Sequence, residues 1–238
     1  MNILIVHAHP EPASFTAALR DTAHETPVSQ GHEVVVSDLY AMNWNPVASG
    51  ADFGSRKNSD YLVYALEQRH GWDTGSVAPD IRGELEKLLA ADLLILSFPI
   101  FWFSVPAILK GWIDRVLVSG VCYGGKRFYD RGGLQGKKVL VVCTLGGREH
   151  MFGPEAVHGE IEALLSPILR GTLAYIGMDV LRPFLGYHIP YLTAVERAAI
   201  LGQYQARLAS LMDESPMPMP TLDAFDERMR PKDTSVQA

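Results

Sequence analysis

Three short stretches hold the side chains that could do chemistry. The first is His9-Pro10-Glu11-Pro12-Ala13-Ser14-Phe15-Thr16. It follows an apolar run and leads into a helical pattern. The free N–H groups and dipole of a helix N-terminus then fall beside two hydroxyls and an imidazole, which suits a phosphate anion. Ser14 taken alone reads equally as a helix cap. The second is Pro99-Ile100-Phe101-Trp102-Phe103-Ser104. Three aromatics in succession offer π faces and backbone N–H groups to a flat heteroaromatic ligand, or else they plug a core. The third is Thr144-Leu145-Gly146-Gly147. Glycine has no Cβ, so a ligand can approach the main chain closely there; a Gly-Gly pair by itself also marks a plain turn. Together the loops describe a site with an anion end and a flat aromatic end, the shape and charge of a flavin nucleotide.

Each stretch follows a strand pattern. Asn2–His7, Glu33–Asp38, Leu93–Phe98, Lys138–Thr144 and Val180–Leu185 read as strands. The unbroken apolar run Leu93–Phe98 suits a strand covered on both faces. Helices are expected over Phe15–Thr26, over Asp80–Ala90, from Pro106 onward, over Glu160–Ile176 with a break at Pro167, and over Ala194–Met212. Residues 43–79 read as a long irregular segment, of the kind that is functional, disordered or engaged in an interface. Strand and helix alternate, which argues for an α/β fold. We expect a flavodoxin-like, doubly wound, five-stranded parallel sheet with helices on both faces, in the order 2-1-3-4-5. Residues 1–216 would form that domain, and 217–238 a C-terminal extension with a mobile end. Ligands bind outside the carboxyl ends of such strands, where the three loops fall. A nicotinamide-binding Rossmann fold would need a glycine-rich first turn, and His9-Pro10-Glu11-Pro12 has no glycine.

Composition narrows the classes. The chain has 238 residues, a net charge of −6 and 47% hydrophobic residues. That balance argues against a nucleic-acid surface. Two cysteines without metal-ligand spacing argue against a zinc site or a disulfide framework, so no metal is expected. The N-terminus has no basic leader and no membrane span is expected, which points to a cytoplasmic protein.

At these residues the chain resembles a known family. HPEPASF, SDLYAMNWNP, ADLLILSFPIFWFSVPAILKGWIDRVL and the stretch from Gly146-Gly147 to His158-Gly159 are similar to the FAD-dependent NAD(P)H:quinone oxidoreductases related to DT-diaphorase. The likeness runs from the first strand to about Pro216. It implies a homodimer with active sites at the subunit interface. It also implies two-electron reduction of quinones by a ping-pong route, in which NAD(P)H gives a hydride to FAD and leaves before the quinone enters. Matched motif by motif, His9, Ser14, Phe15, Thr16 and Ala18 would hold the pyrophosphate of FAD and its surroundings. Pro99, Ile100, Phe101, Trp102 and Phe103 would line the isoalloxazine, with Thr144, Leu145, Gly146 and Gly147 on its other side. Arg197 matches an arginine near the adenosine half. Phe103, Tyr123, Met151, His158 and Tyr175 fall where the family lines its substrate pocket, partly from the second subunit.

One position departs from the pattern. The family's catalytic histidine is matched by His158, but the tyrosine that acts with it is matched by Phe152, which has no hydroxyl to donate. His158 is therefore the expected catalytic residue, acting alone on developing charge. The same fold also serves FMN-dependent azo- and nitroreductases and flavoprotein regulators of potassium-efflux systems. A one-electron flavodoxin shuttle carries a denser acidic face than −6 over this length allows.

Overall fold

A computed structural model describes residues 1–232. The end of the C-terminal extension, expected to be mobile, lies at 233–238, outside the described residues. The strands are β1 (Asn2–His7), β2 (Glu33–Asp38), β3 (Leu93–Pro99), β4 (Lys138–Thr144), β5 (Asp179–Val180) and β6 (Phe184–Gly186). They form one parallel sheet in the order β2-β1-β3-β4-β5, with β6 also paired to β4. All seven residues of β3 are buried, as expected for the strand at the sheet's centre.

Alternate side chains leave opposite faces of a strand, and this divides the core into two layers. Leu4, Val6, Leu94, Leu96 and Phe98 pack on one side with α3 (Pro79–Ala90) and α4 (Ala107–Val116). Ile3, Ile5, Leu93, Ile95, Leu140 and Val142 pack on the other. There they meet Leu19 of α1 (Phe15–Ser29) and Tyr204 of α7 (Ala194–Leu208).

Several elements differ from the expected ones. The fifth strand is split into β5 and β6, because Pro183 lies between them and has no N–H for the ladder. The helix expected over Glu160–Ile176 is three pieces: α5 (Ile161–Leu164), α6 (Ser166–Ile168) and a π-helical stretch, Leu169–Ala174. Pro167 again removes a donor, and the chain resumes with wider turns. The long C-terminal helix stops at Leu208, with a short 3₁₀ turn at Leu211–Asp213.

The segment 43–79 is not irregular throughout. It contains α2 (Tyr64–Thr74), closed by Gly75 in the left-handed region at φ 75°. A buried polar cluster fastens it to α4. Arg115 Nη2 lies 2.9 Å from Asp52 Oδ1, and Arg115 Nη1 lies 2.8 Å from Asp80 Oδ2. The Tyr64 hydroxyl donates to Asp52 Oδ2 at 2.6 Å. The Trp44 ring lies 4.7 Å from the Arg115 guanidinium. Gly111 lets this segment cross α4, because a Cβ there would stand 2.2 Å from Pro46 Cα. In the C-terminal extension, Met217 N–H donates to Val180 O at 2.8 Å, and Met217 and Met219 pack on the core.

Candidate active site

The carboxyl ends of β1, β3 and β4 open into a cleft of 270 Å³. It is lined by His9, Ser14, Phe15 and Thr16 from the first loop, Pro99, Ile100 and Phe101 from the second, and Thr144, Leu145 and Gly146 from the third. Ile189 and Pro190 complete it. The loops are tied to one another. Ile100 N–H donates to Thr144 O at 2.8 Å, and the Thr16 and Thr144 hydroxyls lie 2.7 Å apart. Beneath them, His7 Nδ1 lies 3.1 Å from Ser97 Oγ, a pair that the strand register sets side by side. His7 is fully buried, and burial lowers its pKa to about 4, so it is neutral.

Ser14 caps α1, accepting from Ala17 N–H at 3.0 Å. Phe15 and Thr16, the first two residues of the helix, keep N–H groups with no protein acceptor among the described residues. His9 Nδ1 accepts Glu11 N–H at 3.0 Å, so in the neutral imidazole the proton sits on Nε2. Burial holds His9 below the usual histidine range. Ala18 lies one turn further along, half-buried, with its N–H bonded to Ser14 O.

The aromatic loop is a tight turn. Phe101 and Ser104 exchange N–H···O bonds of 3.0 and 2.9 Å. Trp102 and Phe103 between them have φ of 52° and 57°, as a type I′ turn requires. Non-glycine residues there carry strain on the order of 1 kcal/mol each. Trp102 is 98% exposed and Phe101 and Phe103 are exposed as well, so the three aromatics are not core plugs. The Trp102 and Phe103 N–H groups have no protein acceptor among the described residues, and neither do those of Gly146 and Gly147. Three pairs of free amides therefore stand on the three loops.

His158 is half-buried at the edge of this site. Its ring lies 5.4 Å from that of Phe103 and 5.0 Å from that of Phe152. Its main-chain N–H donates to Met151 O at 3.1 Å, and neither ring nitrogen has a protein partner among the described residues. Met151 turns its sulfur back to the Arg148 N–H at 3.4 Å. Tyr123 and Tyr175 are placed elsewhere. They share a separate 300 Å³ hollow with Asp114, Leu117 and Thr172. Phe128 stacks on Tyr175 at 5.6 Å. Arg197 stands on α7, outside the cleft lining, with a buried Nε that has no partner among the described residues. Cys122, next to Tyr123, is fully buried and its thiol is pushed up to about 12 by burial, so it does not face a pocket.

Sequence reasoning missed Ile189 and Pro190. The signal was that the fifth strand's carboxyl end, at Gly186, belongs to the same rim. The loop after it returns through Ile189 N–H to Leu145 O at 3.1 Å.

A five-stranded path of parallel strands with its cleft at the carboxyl edge, between α1 and the loop after β3, defines a flavodoxin-like protein. A family model for the flavodoxin-like fold matches residues 1–211, and the chain belongs to that family. Within it the chain belongs with the NAD(P)H dehydrogenases (quinone). It is 43% identical over 224 residues to NAD(P)H dehydrogenase (quinone) 1 of Rattus norvegicus, covering 94% of this chain and 82% of that one. It is 41% identical over 217 residues to the ribosyldihydronicotinamide dehydrogenase (quinone) of Homo sapiens, covering 91% and 94%. A crystal structure of a quinone reductase from Klebsiella pneumoniae superposes with a TM-score of 0.92 at 34% identity, covering 98% of this chain and 94% of that one.

Proposed function

We propose that this protein is a cytoplasmic FAD-dependent NAD(P)H:quinone reductase that works as a homodimer. The observation that supports this most is the set of free main-chain amides on three loops around one cleft, beside an unpartnered imidazole. A flavin fits that donor set: an anionic pyrophosphate on the α1 N-terminus and a flat ring along Trp102–Phe103 and Gly146–Gly147. Bound there, the flavin would pass two electrons from NAD(P)H to the quinone in turn. The net change is quinone, NAD(P)H and one proton giving hydroquinone and NAD(P)⁺.

The chain's own part is positional and electrostatic. The aromatic turn and the glycine turn hold donor and acceptor, one after the other, flat against the ring. His158 supplies a hydrogen-bond donor where negative charge develops. Tyr123 and Tyr175 lie in a hollow that shares no residue with the cleft. Their placement suits a site completed by a second subunit. Two buried free thiols suit a reducing compartment.

Flavin released from the purified protein and identified by chromatography separates FAD from FMN. Steady-state oxidation of NADH and NADPH with a panel of benzoquinones tests the activity. A protein that is colourless and takes up neither flavin overturns this reading. Bound FMN with azo- or nitro-compound turnover in place of quinone turnover replaces it with a reductase of that class. Gel filtration with light scattering tests the dimer.

A further inference from the structure

Behind the glycine turn lies a residue that the site as described does not use. His188 follows β6 and Tyr187 and stands in the left-handed region at φ 58°. A non-glycine residue is uncommon there. It makes two bonds to the same short turn. Its main-chain N–H donates to Gly147 O at 2.9 Å, and its Nδ1 lies 3.0 Å from Gly146 O. A carbonyl only accepts, so Nδ1 carries the proton. The His188 ring packs on Tyr191 at 4.7 Å, which fixes its plane. The next residue, Ile189, returns its N–H to Leu145 O at 3.1 Å and lines the cleft together with Pro190.

The two glycine carbonyls are thus both engaged by His188, while the two glycine N–H groups have no protein acceptor among the described residues. A peptide turn has two ways to face, and only one presents donors to a ligand. We infer that His188 is a positioning residue: by gripping the Gly146 and Gly147 carbonyls it fixes the turn with its amides available to the flavin ring. This rests on the flavin reading above. The left-handed φ is what allows one residue to reach both carbonyls, with its main chain on one and its side chain on the other. The strain of that conformation is offset by the paired bonds.

The test compares three variants for FAD affinity and for the midpoint potential of the bound flavin. His188→Gly accepts the same φ but lacks the ring. Asn tolerates the left-handed region and has an N–H to give, so His188→Asn is the rescue. His188→Ala loses both. Removing one hydrogen bond of ordinary strength corresponds to about a two- to tenfold change in a binding constant. His188→Gly is expected to weaken FAD by that factor and to shift the flavin's potential. His188→Asn should stay within twofold of the parent, and His188→Ala should be weakest. Thermal melts of the flavin-free proteins control for folding: a loss of affinity in a variant that melts with the parent is local to the turn. If His188→Gly binds FAD as tightly as the parent, with an unchanged potential, the inference fails and the flavin reading stands. If the parent itself takes up neither flavin, both fall.

Discussion

The Phe152 ring stands 5.0 Å from the His158 imidazole and 5.7 Å from the Tyr187 ring. The position that the resemblance assigns to a tyrosine thus keeps the aromatic contact and lacks the hydroxyl. Its ring also backs the glycine turn, since a Cβ on Gly147 would stand 3.1 Å from Phe152 Cε2. His158 is then the one side-chain donor of the pair. His158→Leu, which removes the donor, is expected to lower quinone turnover by about 100-fold while the flavin stays bound. Phe152→Tyr is expected to raise turnover, by up to about tenfold. Stopped-flow rates for the two half-reactions check both, and an unaltered rate in Phe152→Tyr means that the hydroxyl is not limiting.

The aromatic turn stores strain that can be released. Trp102→Asn with Phe103→Gly places residues suited to positive φ at both central positions. The double variant is expected to be more stable by roughly 1–2 kcal/mol in urea denaturation, and to lose catalytic efficiency as the Phe103 ring beside His158 is removed. A variant no more stable than the parent removes the strain argument.

His7 ties stability to acid. Its folded pKa of about 4 lies below the 6.5 of an unfolded histidine. As pH falls, the unfolded chain takes the proton first. The stabilisation is therefore complete above pH 6.5 and is lost progressively toward pH 4. One pKa unit is worth about 1.4 kcal/mol, so the loss amounts to about 3 kcal/mol. His7→Leu is expected to flatten the acid limb of the stability–pH profile between those values. Equal slopes for parent and variant would falsify this account.

Arg115 and Asp52 are each about 3% exposed at the side chain. Breaking such a pair from one side leaves a buried charge alone. Arg115→Met is expected to cost about 3–5 kcal/mol. Adding Asp52→Asn should restore part of it, because the orphaned charge is gone. Equilibrium denaturation of the two variants decides the point, and no recovery in the double variant counts against the ion pair.

The sheet was legible because its strands are nearly continuous apolar runs; Leu93–Phe98 is short of the observed strand only by Pro99. The cleft was legible for the same reason: three of its walls are the loops that end those strands. The fourth wall was not, although the end of the fifth strand was read to within one residue, at Leu185 against Gly186: the following Ile189-Pro190 carries no glycine pair, hydroxyl or aromatic run to mark a ligand. α2 was missed because YALEQRHGWDT has no apolar stripe. It buries Glu67 and Gln68 instead, and Glu67 is used to accept Lys57 and Asn58 N–H groups at 2.7 and 3.0 Å. Composition could not say whether Phe101, Trp102 and Phe103 point inward, since a two-residue turn with positive φ reverses what a strand pattern would give. Nor could spacing show that Tyr123 and Tyr175 share a hollow apart from His158.

Of the four indoles in the chain, Trp44 and Trp112 are sealed in the core, Trp72 is half-covered, and Trp102 stands in water. That asymmetry gives the molecule an optical gauge at the rim of its own cleft. Whatever settles over that rim, whether a flavin, a nicotinamide or a neighbouring chain, must change the emission of one identifiable fluorophore. No label has to be added.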